Sequence, residues 1–208
     1  MKQGMRTSRW MRAAGLLLSV ASVACGSATA QAQPTPQPQP RHGEADVRFV
    51  TGMIAHHAQA LEMVALVPDR ATRDDVRMMA ERIEVSQRDE IALMQRWLQA
   101  RGEAVPAADG GHSHHGAGHA PMAGMLTPEE MQSLAAASGA EFDRRFLELM
   151  IRHHEGALAM VAELFGTRGG GQESEVFHIA SEVDADQRME IDRMRTMLAG
   201  PLNGSRPR

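Results

Sequence analysis

Asp46-Val47-Arg48-Phe49-Val50-Thr51-Gly52-Met53-Ile54-Ala55-His56-His57-Ala58-Gln59-Ala60-Leu61-Glu62-Met63-Val64 has an echo later in the chain, and the echo decides the fold. Asp46, Phe49, Met53, Ile54, His56, His57, Ala60, Met63 and Val64 return 97 residues on as Asp143, Phe146, Met150, Ile151, His153, His154, Ala157, Met160 and Val161. Nine identities in one register mark an internal duplication. A second set follows at an offset of 100: Ala80, Gln87, Arg88, Glu90, Ile91, Met94 and Leu98 match Ala180, Gln187, Arg188, Glu190, Ile191, Met194 and Leu198. Each copy reads as helix, turn, helix, with Pro68-Asp69 marking the first turn and Gly166 with Gly169-Gly170-Gly171 the second.

Apolar residues recur at helical spacing in the second helix of each copy (Met79, Ile83, Met94, Leu98; Ile179, Val183, Met194, Leu198). One amphipathic hairpin cannot enclose a core, so two hairpins packed face to face predict an all-α, four-helix bundle over 45–200. The expected long helices lie near 45–66, 72–101, 140–165 and 174–198, so the first hairpin spans 45–101 and the second 140–198. Thr127-Pro128-Glu129-Glu130 reads as a cap, a first-turn proline and acidic first-turn residues, which predicts a short helix within 127–138.

Outside the bundle, composition is the guide. Lys2, Arg6, Arg9 and Arg12 precede the apolar run Ala13 to Ala24 and the small-residue site Ala28-Thr29-Ala30, the order of a secretory signal peptide over 1–30. The other reading is a lipoprotein lipidated at Cys25, but Ser22 stands where such signals usually carry Leu. Residues 31–44 contain Gln-Pro-Thr-Pro-Gln-Pro-Gln-Pro, an extended spacer, and 201–208 reads as a disordered tail. The connection 102–126 holds His112, His114, His115, His119, Met122 and Met125 among Gly, Ala and Ser. It reads as a flexible loop of metal-binding composition, with Gly110 to Gly124 dispensable for folding; a merely solvated linker is the alternative.

The chain has 208 residues, ten His, sixteen Met and a net charge of −4. From Gln31 onward it carries 18 basic against 26 acidic residues and no Lys, which excludes the basic footprint of a nucleic-acid binder. The apolar run near the start is shorter than the roughly twenty residues of a membrane span. With cleavage after Ala30 the exported chain has no thiol.

At about 100° per residue, Phe49, His56, His57, Ala60, Met63 and Val64 all lie within about 80° of Met53, on the face that must look into the bundle. Met150, His153, His154, Ala157, Met160 and Val161 repeat that face. An inward His alone is usually a hydrogen-bonded core residue, and Met is a common gap-filler. Two His-His pairs bracketed by Met favour a metal site: Met53, His56, His57, Met63, Met150, His153, His154 and Met160, with Met94 and Met194 as second-rank candidates beside the loop His and Met residues. Thioether beside imidazole is a soft donor set suited to Cu(I), with Cu(II) as the second oxidation state. Imidazole ligation predicts proton competition growing below the ordinary His value of about 6.5.

Gln87 and Gln187 lie on the apolar stripes, either as hydrogen-bond partners of the histidines or as ordinary boundary residues. Asp46 and Asp143 either cap helices or orient a His. Only Glu175-x-x-His178 has the spacing of a di-iron ligand pair and it is not duplicated, so carboxylate-bridged di-iron chemistry is not expected. Gly-x-Ser-x-Gly and phosphate-binding glycine loops are absent from the sequence, which leaves no basis for a hydrolase or nucleotide enzyme.

The doubled Met-Ile-x-His-His, with Met125-Leu126-Thr127-Pro128-Glu129-Glu130 before the second copy, resembles a His-His and Met-rich family of exported bacterial proteins, labelled a domain of unknown function, that includes the periplasmic copper-binding protein CopM. The resemblance runs from about 45 to 198 and implies a ferritin-like bundle and copper binding through Met and His. The expected function is therefore a monomeric or weakly dimeric exported protein that buffers or passes on copper, with a copper-delivery partner and without substrate turnover. The alternatives are a metal-free structural or interaction module of the envelope and a metal-dependent oxidase.

Overall fold

A computed structural model describes residues 42–106 and 122–200. The signal segment with Cys25, most of the spacer, His112, His114, His115, His119 and the tail 201–208 lie outside the described residues. Six helices follow in order: α1 (Glu44–Val64), α2 (Val67–Arg70), α3 (Asp74–Ala100), α4 (Pro128–Ala136), α5 (Gly139–Gly166) and α6 (Ser174–Ala199). Among the described residues there is no strand. The fold is all-α: α1 packs on α3 and α5, and α6 on α5 and α3, which closes a four-helix bundle from two hairpins.

The first turn is more structured than Pro68-Asp69 suggests. The helix before it stops at Val64, and α2 forms a single turn in which Pro68 sits where a helix has no intrahelical use for its N–H. Helix α4 begins as its sequence predicts: Glu130 N–H donates to Thr127 Oγ1 at 3.2 Å and Thr127 N–H to the Glu130 carboxylate at 2.9 Å. Arg152 of α5 grips both oxygens of Glu130, at 2.6 and 2.7 Å, and fastens α4 to the bundle.

Asp46 and Asp143 are capping residues, and each works across the hairpins. Asp143 on α5 accepts the N–H groups of Thr72 and Arg73 and the Thr72 hydroxyl. It thereby fixes the backbone leading into α3, whose N-cap residue Arg73 supplies no side-chain acceptor. Asp46 on α1 accepts Gly43 N–H at 3.0 Å and Gly171 N–H at 2.7 Å. Gly171 sits at φ +64 in the α5–α6 loop, a conformation glycine adopts without a side-chain penalty.

The apolar core is interrupted at one level. Phe49, Val50, Met53 and Ile54 of α1 join Ile91, Met94 and Leu98 of α3, Val161 and Leu164 of α5, and Ile179 and Val183 of α6 in one cluster. Met63 and Val64 join Met79 and Ile83, Phe142, Phe146 and Met150, and Ile191 and Met194 in the other. Every long helix crosses from one cluster to the other, and at each crossing it contributes polar residues: His56 and His57, Gln87 and Glu90, His153 and His154, Gln187 and Glu190.

Candidate metal centre

The helical face read from the sequence carries all four histidines into that polar layer, where each is fully buried. The His56 and His153 rings lie 3.8 Å apart. Each neighbouring pair on one helix is wider: 6.5 Å for His56 and His57, 6.3 Å for His153 and His154. His57 Nε2–H donates to Glu90 Oε2 at 2.6 Å, and its repeat mate His154 donates to Glu190 Oε2 at 2.8 Å. His56 Nε2–H donates to the Ala123 carbonyl at 3.0 Å.

These partners fix protons. Carbonyl and carboxylate oxygens accept, so the three rings carry hydrogen on Nε2. The Nδ1 atoms of His56, His57 and His154 are buried without a hydrogen-bond partner, and His153 lacks one at both nitrogens. Each unsatisfied buried group costs on the order of 1–3 kcal/mol, so five imidazole nitrogens in one layer are a considerable burden on folding. Burial, then the charge of His57, lowers the His56 pKa to about 3. Burial also holds His153 well below 6.5, with His56, His154 and His57 adding to the effect. Both rings are neutral at physiological pH, the state a metal requires.

Gln87 and Gln187 do not support the histidines. Both amide atoms of Gln87 and Oε1 of Gln187 are without partners, and the support comes one turn further along, from Glu90 and Glu190. A carboxylate on imidazole orients the ring and raises its donor strength, whereas an amide supplies only a neutral dipole. The signal was present in the sequence, since Glu90 and Glu190 belong to the repeated identities. Asp186 of α6 lies close to both glutamates: burial, then their charge, pushes its carboxyl above the ordinary value.

The methionines divide. Met53 and Met94 are buried in the cluster on one side of the layer, Met63, Met150 and Met194 in the cluster on the other. Met160 is half-buried, and with Met122 it covers Gly52 of α1, where a Cβ would lie 3.3 Å from Met160 Cε and 3.5 Å from Met122 Sδ. Met125 is also half-buried. Among the described residues no three His, Cys, Asp or Glu side chains are grouped to hold one ion.

The connection between hairpins is not simply solvated at its described end. Met122–Gly124 pack on α1 and α5, and Leu126 is buried in the core. The glycine content read as looseness is what lets two backbones touch. No described helix is long and apolar enough to cross a membrane.

The family described as "Domain of unknown function (DUF305)" matches residues 46–198. A crystal structure of a DUF305 fragment from Deinococcus radiodurans is 32% identical, with TM-score 0.65, covering 77% of this chain and 99% of that one. A DUF305 protein of Streptomyces coelicolor, described as secreted, is 30% identical, with TM-score 0.61 and coverage of 74% and 92%. CopM in its Cu(II)-bound form is 28% identical, with TM-score 0.59 and coverage of 74% and 95%. It has also been solved with Cu(I) and with silver, each 25% identical to this chain with TM-score 0.57. No curated protein matches the chain. Duplication, bundle and family match agree, and the chain belongs to the DUF305 family.

Proposed function

We propose that this protein is exported and binds copper, Cu(I) in preference, to buffer it or pass it on. The observation that carries this reading is the set of buried imidazole nitrogens without partners at the level where the apolar core is broken. Metal ligation is a direct way to satisfy a buried imidazole nitrogen that no protein donor reaches. The proposed ligands are Nδ1 of His56, His57 and His154 and either nitrogen of His153, with the thioethers of Met53, Met63, Met150 and Met160. Met94, Met194, Met122 and Met125 are second-rank donors, as are His112, His114, His115 and His119. A soft ion supplies a Lewis acid that accepts few ligands, sulfur among them. CopM, 25–28% identical, has been solved with Cu(I), Cu(II) and silver, and this supports a soft ion here.

Anaerobic titration of the full chain with Cu(I) against a competing chromophoric chelator tests the reading. Tight stoichiometric uptake that survives deletion of 110–121 is the expected result. Failure to compete with the chelator would leave the polar layer a structural feature and overturn the proposal.

A further inference from the structure

The segment Met122–Leu126 lies across α1 and α5 beside the stacked histidines, and what holds it differs between the two copies. Gln59 of α1 and Gly156 of α5 are repeat mates, 97 residues apart. Gly156 has no side chain, and a Cβ there would overlap the Ala123 carbonyl and the Gly124 Cα. Gly124 sits at φ +74, and its own Cβ would overlap the Arg152 carbonyl. Gln59 takes the Leu126 N–H on Oε1 at 2.7 Å and donates Nε2–H to the Leu126 carbonyl at 2.9 Å, so one amide satisfies both backbone groups of one residue. Between these anchors the Ala123 carbonyl meets His56.

The strap makes two duplicated halves unequal. The strap gives His56 a backbone acceptor and its repeat mate His153 none. Without the Ala123 carbonyl, His56 would have no polar partner at either nitrogen, since its Nδ1 is already buried and unpartnered. Nothing local would then choose which nitrogen keeps the proton.

We propose that Gln59 and Gly156 are positioning residues that seat the strap Met122–Leu126 so that the Ala123 carbonyl holds the His56 proton on Nε2 and leaves Nδ1 bare. This deepens the copper-binding reading and rests on it for its use, whereas the tautomer is a property of the metal-free chain. The seat works by shape on α5 and by hydrogen bonding on α1, so the two residues can be disabled separately.

The test is the long-range proton–nitrogen correlation spectrum of the imidazoles in the metal-free, full-length protein. The expected His56 pattern is the Nε2–H tautomer. Gly156→Ala adds a Cβ that the helix favours and the strap cannot accept. Gln59→Leu removes both latch bonds at similar volume. Either variant should shift His56 toward averaged tautomers and leave His57 and His154, held by Glu90 and Glu190, unchanged. A His56 ring protonated on Nδ1 in the parent overturns the proposal, as does a His56 pattern unmoved in both variants. Cu(I) titration of the same samples separates the two ideas. A tautomer shift with tenfold or greater loss of Cu(I) affinity supports both. A tautomer shift in the variants of a parent chain that itself takes up no Cu(I) supports the seat and overturns the copper reading. An unmoved tautomer in a chain that binds Cu(I) does the reverse.

Discussion

The imidazole rings of His56 and His153 lie 3.8 Å apart at an interplanar angle of 37°, although they occupy the same position in two copies of one sequence. A residue that touches its own repeat mate lies close to the axis relating the copies. The two hairpins therefore share one histidine layer, and any ion bound there is available to both halves. The same relation places Met53 and Met150 in apolar clusters on opposite sides of the layer.

Acid should destabilise the metal-free protein earlier than its carboxylates alone would. In the unfolded chain His56 and His153 take up protons near 6.5, whereas in the folded protein His56 does so only at about 3 and His153 is also far lowered. The unfolded state binds more protons between those limits. The contribution of these rings is thus complete above pH 6.5 and lost as pH falls, toward about 3 for His56. Denaturant midpoints at pH 7, 5 and 4 measure the slope. A His56→Phe chain with the same slope as the parent would contradict this account.

Glu90→Gln and Glu190→Gln should leave the bundle folded and weaken Cu(I) binding by about 10- to 100-fold, the usual effect of losing a carboxylate behind a ligating imidazole. An amide oxygen still accepts the Nε2 proton, so orientation is kept while donor strength falls. The competitive chelator titration reads the change. Unaltered affinity in the double variant would show that His57 and His154 do not ligate.

Asp143→Ala should cost about 2–3 kcal/mol, because it strips the acceptor from the Thr72 and Arg73 N–H groups at the start of α3 and from the Thr72 hydroxyl. Asp46→Ala should cost less, since it gives up two donors, Gly43 at the N-cap of α1 and Gly171 in the loop before α6, where Asp143→Ala gives up three. Urea unfolding of the two variants orders them. The reverse order would mean that the interhairpin caps are not what holds the α3 end.

The duplicated face was legible because helical periodicity and fixed register are local properties: spacing alone put Met53, His56 and His57 on the inner side. What Gln87 and Glu90 do was not, because both lie on one stripe and the choice between them depends on the register of α3 against α1. Asp46 and Asp143 stayed open for a similar reason, since each caps a loop of the other hairpin. The strap was hidden by composition. Glycine at 124 and 156 looks permissive in sequence, and only the crossing of the chain on α5 turns it into a requirement for contact.

Met53→Leu and Met150→Leu set ligand against packing. Both side chains are fully buried, and Leu keeps their volume and apolarity, so each change should cost less than about 1.5 kcal/mol of stability. Cu(I) affinity should nevertheless fall in the double variant, since a branched alkane offers an ion nothing in place of sulfur. Zn(II), with less use for thioether, should change less. Thioethers do not titrate, so the remaining pH dependence belongs to imidazole. The sequence predicts that proton competition grows below 6.5, but His56 is lowered to about 3. Competition at that ring should therefore begin roughly three pH units below the unperturbed value, in the parent and the double variant alike. Chelator titrations at pH 7 and pH 5 measure both effects together. A double variant that folds normally and binds Cu(I) as tightly as the parent would make Met53 and Met150 core residues only, and the ion would then be held by nitrogen without them.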